Sequence, residues 1–500
     1  MTLDPRTPVI VGVSQLNQRT NDLHEALGPI ELLAHAVHLA GKDTQASIDP
    51  LTKIGALRVV PFLSARFRNP SLAIAKHLGI TARNYDLGSM GGNTPQSMVN
   101  TACRQISNGE IDLVVIAGGE SMRTRRKARK QGIDISTLGW VTEPDDAPAP
   151  DHKGVEFVMT HPYEHGLGLY MPVQLYPMFE QSLRAAAGET VEAHQIKISQ
   201  LWEGFAAVAA TNPHAAVRHA PSAEEIRTVG PGNRMIGFPY PKMMNSNMDV
   251  DQAAATIICS VEMADSLGVP RGQWVFPWVG TDAHDTPFVS NRPDFAASPS
   301  IRIAGNRALE LAGLHIDDVG HFDLYSCFPS AVQLGVKELS IAAGRQLTVT
   351  GGLAFAGGPF NSYVMHAINT MVDVIRHSGD GTPGLVWGNG GYVTKHSFGI
   401  YSSAPSPHGS YRHDNPQAAI DALPICELAE NYEGQATIET YTVMHDRDGN
   451  PELFIAACRT PDRQRAWGIS RAADLAQHGV THDLMGHACQ LDADGTITVN

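Results

Sequence analysis

Nowhere in its 500 residues does the chain run through about 18 consecutive apolar positions, so no membrane-spanning helix is expected. Its six cysteines, at positions 103, 259, 327, 426, 458 and 489, form no C-x-x-C pair, which argues against both a zinc site and a disulfide framework. Positive charge is short as well. With 37 Lys and Arg against 51 Asp and Glu, the net charge is −14, the wrong balance for a general nucleic-acid binder, which needs clustered cations to neutralise phosphates. The opening "MTLDPRTPVIVGV" lacks the basic segment and apolar run of a secretory signal. These absences predict a reduced, cytoplasmic protein.

What is present reads as alternating strands and helices. "PVIVGV" (8–13) and the unbroken apolar "IDLVVIAGG" (111–119) have the character of buried strands, and "GLVWGNGGY" (384–392) repeats it in the second half. "PIELLAHAVHLAG" (29–41) is helical. Such alternation predicts an α/β architecture, with helices covering a mostly parallel sheet, and the length calls for two to four modules.

A faint internal repeat is more informative. "YDLGSMGGNTPQSMVNTACRQI" (85–106) and "FDLYSCFPSAVQLGVKEL" (322–339) each carry an aromatic, Asp-Leu, a serine and then a helix opened by proline, Pro95 or Pro329. Proline suits the first helical position because its missing N–H has no partner there. Each half thus delivers a strand into a turn at a helix N-terminus, where free amides favour an anion or a thiolate. Late in the chain, "TGGLAFAGGPFNSYVMHAI" (350–368) crowds Gly351, Gly352, Gly357 and Gly358 ahead of a helix, and glycine clusters mark a backbone that approaches something closely.

These paired elements, with "AGGESM" (117–122), "DVDQAAATIICSVEMADSLGVP" (249–270), the "GGLAFAGGP" loop and the "GNGGY" loop in order, resemble the thiolase superfamily over roughly residues 5–405. The "YSCF" motif places the resemblance near sterol-carrier-protein-linked thiolases and, closer still, the divergent thiolase-like proteins. It implies two similar α/β halves in a five-layered arrangement, 1–260 and 261–405, with a loop region at about 121–245 inserted in the first. It further implies acyl-CoA or coenzyme A as an exchangeable ligand, no tightly bound cofactor, and a homodimer or a monomer.

The family's chemistry needs a nucleophilic cysteine in C-x-S, a histidine in G-H-P and a second cysteine in C-x-G or HDCF. Here C-x-S falls on Gly92-Asn93-Thr94, G-H-P on Gly357-Gly358-Pro359, and C-x-G on Asn389-Gly390-Gly391. Only Cys327 of "YSCF" retains a thiol. It is either an acid/base at the pocket mouth or a small apolar residue under the turn. Tyr325 stands where the family points a side chain at substrate, as a proton donor or as packing. Lys395 and His396 follow the second glycine loop. Adjacent strand residues face opposite ways, so at most one reaches the pocket, and His396 is favoured because imidazole titrates near neutrality. Asn93, Asn389 and the Gly358 loop are candidates to polarise a thioester oxygen. Asn245 and Asn247 align with the family's pantetheine-contacting segment, whereas Arg123 and Arg126 share one helical face of the basic run "MRTRRKARKQG" (122–132), either to hold a 3′-phosphate or an acidic partner or as a solvated face with no ligand. His161 and His165 share a helical spacing, but Pro162 and the absence of a third ligand argue against a metal.

Beyond a Pro/Ser/His-rich stretch (401–417), two alternating runs and a final hairpin predict a small OB-like β-barrel over 418–500. Two functions follow as expectations. One is carbon–carbon bond chemistry on an acyl-CoA without the usual cysteines, acyltransferase-like or retro-aldol. The other is a non-catalytic acyl-CoA or lipid-binding protein on the same scaffold. Convergence of Tyr325, Cys327 and His396 on one pocket distinguishes the first from the second.

Overall fold

A computed structural model describes residues 3–499. Two central sheets form the body. The first runs in the order Pro8–Asn17, Asp251–Ser260, Leu113–Ser121, Ala56–Val59, Asn84–Leu87 and His152–Lys153. The second runs His321–Leu324, Gly384–Gly390, Lys395–Ser402, Phe276–His284 and Arg412–Asp414. Helices Thr94–Ser107 and Tyr363–Ser378 lie between the sheets, Pro29–Asp43 and Pro70–Leu78 cover the outer face of the first, and Pro299–Ala312 covers the second. The layers are therefore helix, sheet, helix, sheet, helix. Both helices of the middle layer touch both sheets, which is why Met98, Val99, Ala102 and Ile106 of one and Val364, Met365, Ile368 and Val372 of the other are all buried.

The sheets are mixed, in contrast to the mostly parallel expectation. Asn84–Leu87, Ala56–Val59 and Leu113–Ser121 pair in parallel, but Asp251–Ser260 runs antiparallel to both its neighbours. In the second sheet "GLVWGNGGYVTKHSFGIYS" is a hairpin, Gly384–Gly390 pairing antiparallel with Lys395–Ser402. A connection of four residues permits nothing else, since a parallel crossover needs a dozen or more. The Pro/Ser/His-rich stretch is not simply a linker either: Arg412–Asp414 adds an edge strand parallel to Phe276–His284.

The C-terminal segment forms a third sheet from Gly434–His445, Pro451–Arg459, Arg465–Ser470, Ala488–Leu491 and Ile497–Val499. A bridge between Ile469 and Thr496 joins its two ends, closing a small barrel. The inserted region extends this sheet, with Gly237 pairing with Met444. A buried ion pair fastens the barrel to the second half. Arg465 is fully buried, donates to both oxygens of Glu439 at 2.8 Å, and caps the carbonyls of Val289 and Ser290 at 3.1 and 3.2 Å. A buried guanidinium is tolerable only when its donors are satisfied in this way.

The glycine-rich loop packs against the inserted region. Its segment Gly352–Ala356 makes a single wide turn, buried throughout, and the carbonyls of Phe355 and Ala356 accept from Val217 N and Ala216 N at 2.8 and 2.9 Å. Gly351 has φ +104°, and a Cβ there would run into the backbone of Ala209 in helix Val191–Thr211. Close approach of two backbones is thus what these glycines permit. Gly351→Ala should lower unfolding free energy by about 3 kcal/mol through strain and overpacking, measured by urea denaturation, whereas an unchanged midpoint would mean the loop is free to move away.

Candidate active site

The two strand–turn–helix elements meet face to face. Asn84–Leu87 leads through Gly88–Asn93 into helix Thr94–Ser107, and His321–Leu324 leads through Tyr325–Phe328 into helix Pro329–Glu338. The turns are tied down by side chains. Gly91 N donates to Asn361 Oδ1 at 2.9 Å, Asn361 Nδ2 donates to Pro61 O at 2.8 Å, and Thr94 Oγ1 donates to Ser89 O at 2.8 Å. On the other side, buried Asp323 accepts from Thr348 Oγ1 at 2.8 Å, Thr350 N at 3.0 Å and Tyr363 Oη at 3.1 Å. Tyr363 in turn presents its ring edge-on to Tyr325, with centroids 5.8 Å apart.

Tyr325 projects from its turn straight at Gly92. A Cβ on Gly92 would lie inside the contact radius of the Tyr325 phenol oxygen, and about as close to the carbonyl of Asn389. The phenol therefore fills the volume that any side chain at position 92 would need. Burial pushes the Tyr325 phenol well above its ordinary value, so it is a neutral O–H. No described residue hydrogen-bonds to it.

Cys327 sits beside this contact, 8% exposed, and burial pushes its thiol up to about 12 despite the Tyr176 phenol next to it. A thiol so placed is not a thiolate near neutrality. Its carbonyl accepts from Ser246 Oγ at 2.9 Å. Tyr176, from the inserted helix Pro172–Ala186, stacks on Phe328 at 4.5 Å, donates to Gly391 O at 3.0 Å and accepts from Asn389 Nδ2 at 3.0 Å and Val393 N at 3.1 Å. It closes the second glycine loop from outside. No local motif marks Tyr176, because its role depends on how the insert folds back.

The Lys395–His396 pair divides in the sense opposite to the expectation. Lys395 reaches the site: its Nζ donates to Met90 O and stands 2.7 Å from where a Gly91 Cβ would be, and burial lowers its pKa. His396 faces away, fully buried against Trp387, whose Nε1 donates to His396 Nδ1 at 3.3 Å. Burial drives its pKa down to about 3, so it stays neutral and does not join Tyr325 and Cys327.

Asparagines surround the centre, and their amide nitrogens are engaged. Asn93 Nδ2 donates to Ser397 Oγ at 3.3 Å and Asn389 Nδ2 to Tyr176, leaving both Oδ1 atoms buried without a donor. The Gly358 amide is committed to Asn247 O at 2.8 Å, and Asn247 N to Leu353 O at 3.0 Å. Asn245 Nδ2 donates to Pro241 O at 2.8 Å while its Oδ1 is buried and unpaired. Among these side chains the atoms left with no partner at all are thus acceptors, while each amide nitrogen has one of its two donors engaged. A cleft of about 490 Å³ at the sheet edge, lined by Asn93, Thr94, Ser97, Asp86 and His152, touches this group of side chains at Asn93. Arg123 and Arg126 lie on helix Met122–Lys130, the first bonded to Asn21 Oδ1 at 3.3 Å and the second 3.7 Å from Asp249. His161 caps the short helix Pro162–Gly166, accepting from Tyr163 N at 3.2 Å.

A family model described as the thiolase-like protein type 1 additional C-terminal domain matches residues 416–496. Over its entire length the chain superposes on the crystal structure of a monomeric SCP2-thiolase-like protein type 1 from Mycobacterium smegmatis. The identity is 31%, the TM-score 0.84, and the coverage 100% of both chains. The chain belongs to the SCP2-thiolase-like protein type 1 family. Two more distant structures share the fold of this family. The Ltp2–ChsH2(DUF35) aldolase matches at 18% identity and TM-score 0.57, covering 80% of this chain and 98% of its own. An acetyl-CoA acetyltransferase from Syntrophomonas wolfei matches at 15% and 0.55, covering 80% and 99%. No curated protein matched the sequence.

The burial of every cysteine gives a direct check. In the native protein an aromatic disulfide reagent at pH 8 should titrate none of the six thiols, and all six in denaturant. Rapid native labelling of Cys327 would contradict the packing described.

Proposed function

We propose that this protein binds an acyl thioester of coenzyme A on a thiolase scaffold without performing thiolase acyl transfer. One observation carries the reading: the Tyr325 phenol occupies the space of the nucleophilic side chain at Gly92. A Claisen-type step through an acyl-enzyme needs a nucleophile there and a base beside it. Gly358 supplies no base, His396 is turned away behind Trp387, and Cys327 is held protonated. The unpaired Oδ1 of Asn93, whose side chain lines a cleft large enough to admit the pantetheine arm, suits a ligand with N–H and O–H donors of that kind. Such a ligand exchanges freely, in a reduced cytoplasmic setting that suits six free cysteines. The protein acts as a monomer on this reading, as the Mycobacterium smegmatis relative is described to be.

A second reading rests on the same tyrosine. Its neutral phenol has no protein partner and meets Gly92, while Lys395 reaches the adjoining Gly91, an arrangement suited to protonating an enolate oxygen in a retro-aldol step. One experiment separates the two. Calorimetric titration with acetoacetyl-CoA and 3-hydroxyacyl-CoA should show saturable binding by a species whose light-scattering mass is that of one chain, 53.8 kDa, with no release of thiol or carbonyl product. Lys395→Met should weaken binding about tenfold. Turnover abolished by Tyr325→Phe would establish the aldol reading instead, and absence of binding by any thioester would sink both.

A further inference from the structure

A second, larger cleft lies on the other side of Pro61, the residue whose carbonyl is tied through Asn361 to Gly91. It measures about 950 Å³, and its walls include Phe62, Leu63, Arg66, Phe67, Arg68 and Arg125. The geometry points to a binding site for a phosphorylated nucleoside.

Three facts carry this inference, and none depends on the acyl-thioester reading. First, the cations are in excess. Arg66 makes no hydrogen bond or ion pair among the described residues. Arg68 donates to Ala147 O at 3.1 Å and Arg125 to Leu63 O, both neutral acceptors. The one carboxylate in the lining, Glu143, is spent on backbone amides, with Oε1 accepting from Asn69 N at 2.8 Å and Oε2 from Arg68 N. An acidic protein of net charge −14 has carboxylates in excess. Arg125 also feels the charge of buried Glu120 behind the loop, but three guanidinium groups around the cleft still outnumber the one lining carboxylate, leaving a local positive field that selects polyanions, and guanidinium forks match phosphate oxygens two at a time.

Second, the same cleft carries aromatic surface. Phe62 and Phe67 meet edge to face with centroids 6.0 Å apart, and Leu63 beside them is 42% exposed. Half-buried rings that show one side to the cleft among cations suit a flat, partly apolar ring system that carries phosphate, more than a bare inorganic anion. Third, the cleft is built before any ligand arrives. Buried Glu120 accepts from Leu63 N at 2.7 Å and Ser64 N at 2.9 Å, and Ser121 N donates to Ser64 Oγ at 3.0 Å, which fixes the loop that presents Phe62 and Arg66. The volume fits one mononucleotide.

The shared chemistry has two sources, the nucleotide end of a coenzyme A thioester or a free nucleotide. The test is calorimetry on the full chain with adenosine 3′,5′-bisphosphate, ADP, inorganic phosphate and coenzyme A. The adenosine phosphates should bind saturably and inorganic phosphate at least tenfold more weakly. The Arg66→Ala/Arg125→Ala variant should lose at least tenfold in affinity with circular dichroism and melting temperature unchanged, because these side chains lie at the surface, and Phe67→Ala should lose several-fold with some loss of melting temperature, because its ring packs on the core. Arg271→Ala, an exposed arginine paired with Asp265, should bind as the parent does. Displacement of the bisphosphate by acetoacetyl-CoA would assign the cleft to coenzyme A, and simultaneous binding would assign it to a free nucleotide. Three outcomes would overturn the inference: no binding of any adenosine phosphate, affinity equal to that of phosphate, or indifference to the arginine variants. Acyl-CoA binding that persists unchanged in the double-arginine variant, while adenosine-phosphate binding is lost, would exclude coenzyme A as the occupant of this cleft and leave the acyl-thioester reading intact.

Discussion

The structure around the centre depends on one exclusion of volume: the Tyr325 phenol and a side chain at position 92 cannot coexist. Each comes from the end of a strand that feeds a buried helix, one from each half, so the contact is also where the two halves register against one another. Glycine at 92 permits the approach, and tyrosine at 325 fills the gap that glycine leaves. The two residues read as a matched pair. The contact between the halves is packed, with a neutral phenol at its heart.

The rest of the site follows from that contact. With the middle closed, the polar groups around it are turned toward protein: Asn389 to Tyr176, Asn93 to Ser397, and the Gly358 amide to Asn247. The inserted region supplies Tyr176 and the helix on which the glycine-rich loop lies. That region is steadied in turn by the C-terminal barrel, through the shared strand at Gly237 and through Thr440 Oγ1, which donates to Met178 O at 2.7 Å. A further buried network links Glu180 to His194 and Tyr240, with Tyr240 Oη 2.9 Å from Ser330 Oγ at the start of the helix after Cys327. The C-terminal addition thus acts on the centre at second hand, by holding the insert that closes it.

Much of this was legible in the sequence, for identifiable reasons. The two strand–turn–helix elements announced themselves through Pro95 and Pro329, because proline at a helix start is a local steric preference that tertiary packing rarely overrides. The strand at 113–121 was equally plain from its apolar run Leu113–Gly119, being buried on both faces. The misreadings were long-range. Alternation on a strand said correctly that only one of Lys395 and His396 faces the site, but not which, since that depends on a register fixed by Phe276–His284 and Gly384–Gly390. Lysine reached the site because its long stem lets the ammonium find Met90 O, while imidazole packs flat on Trp387. Tyr176, Asn361 and the arginine cleft carry no motif at all. They are assembled from segments far apart in the chain.

The central claim is the packing of Tyr325 against position 92, and a double-mutant cycle on stability tests it most directly. Gly92→Ala should cost about 2 kcal/mol in the parent, as overpacking does, and much less in a Tyr325→Ala background, giving a favourable coupling of about 1–2 kcal/mol. Additive costs, with Gly92→Ala equally disruptive whether or not the phenol is present, would contradict the account and reopen position 92 as free space for a catalytic group.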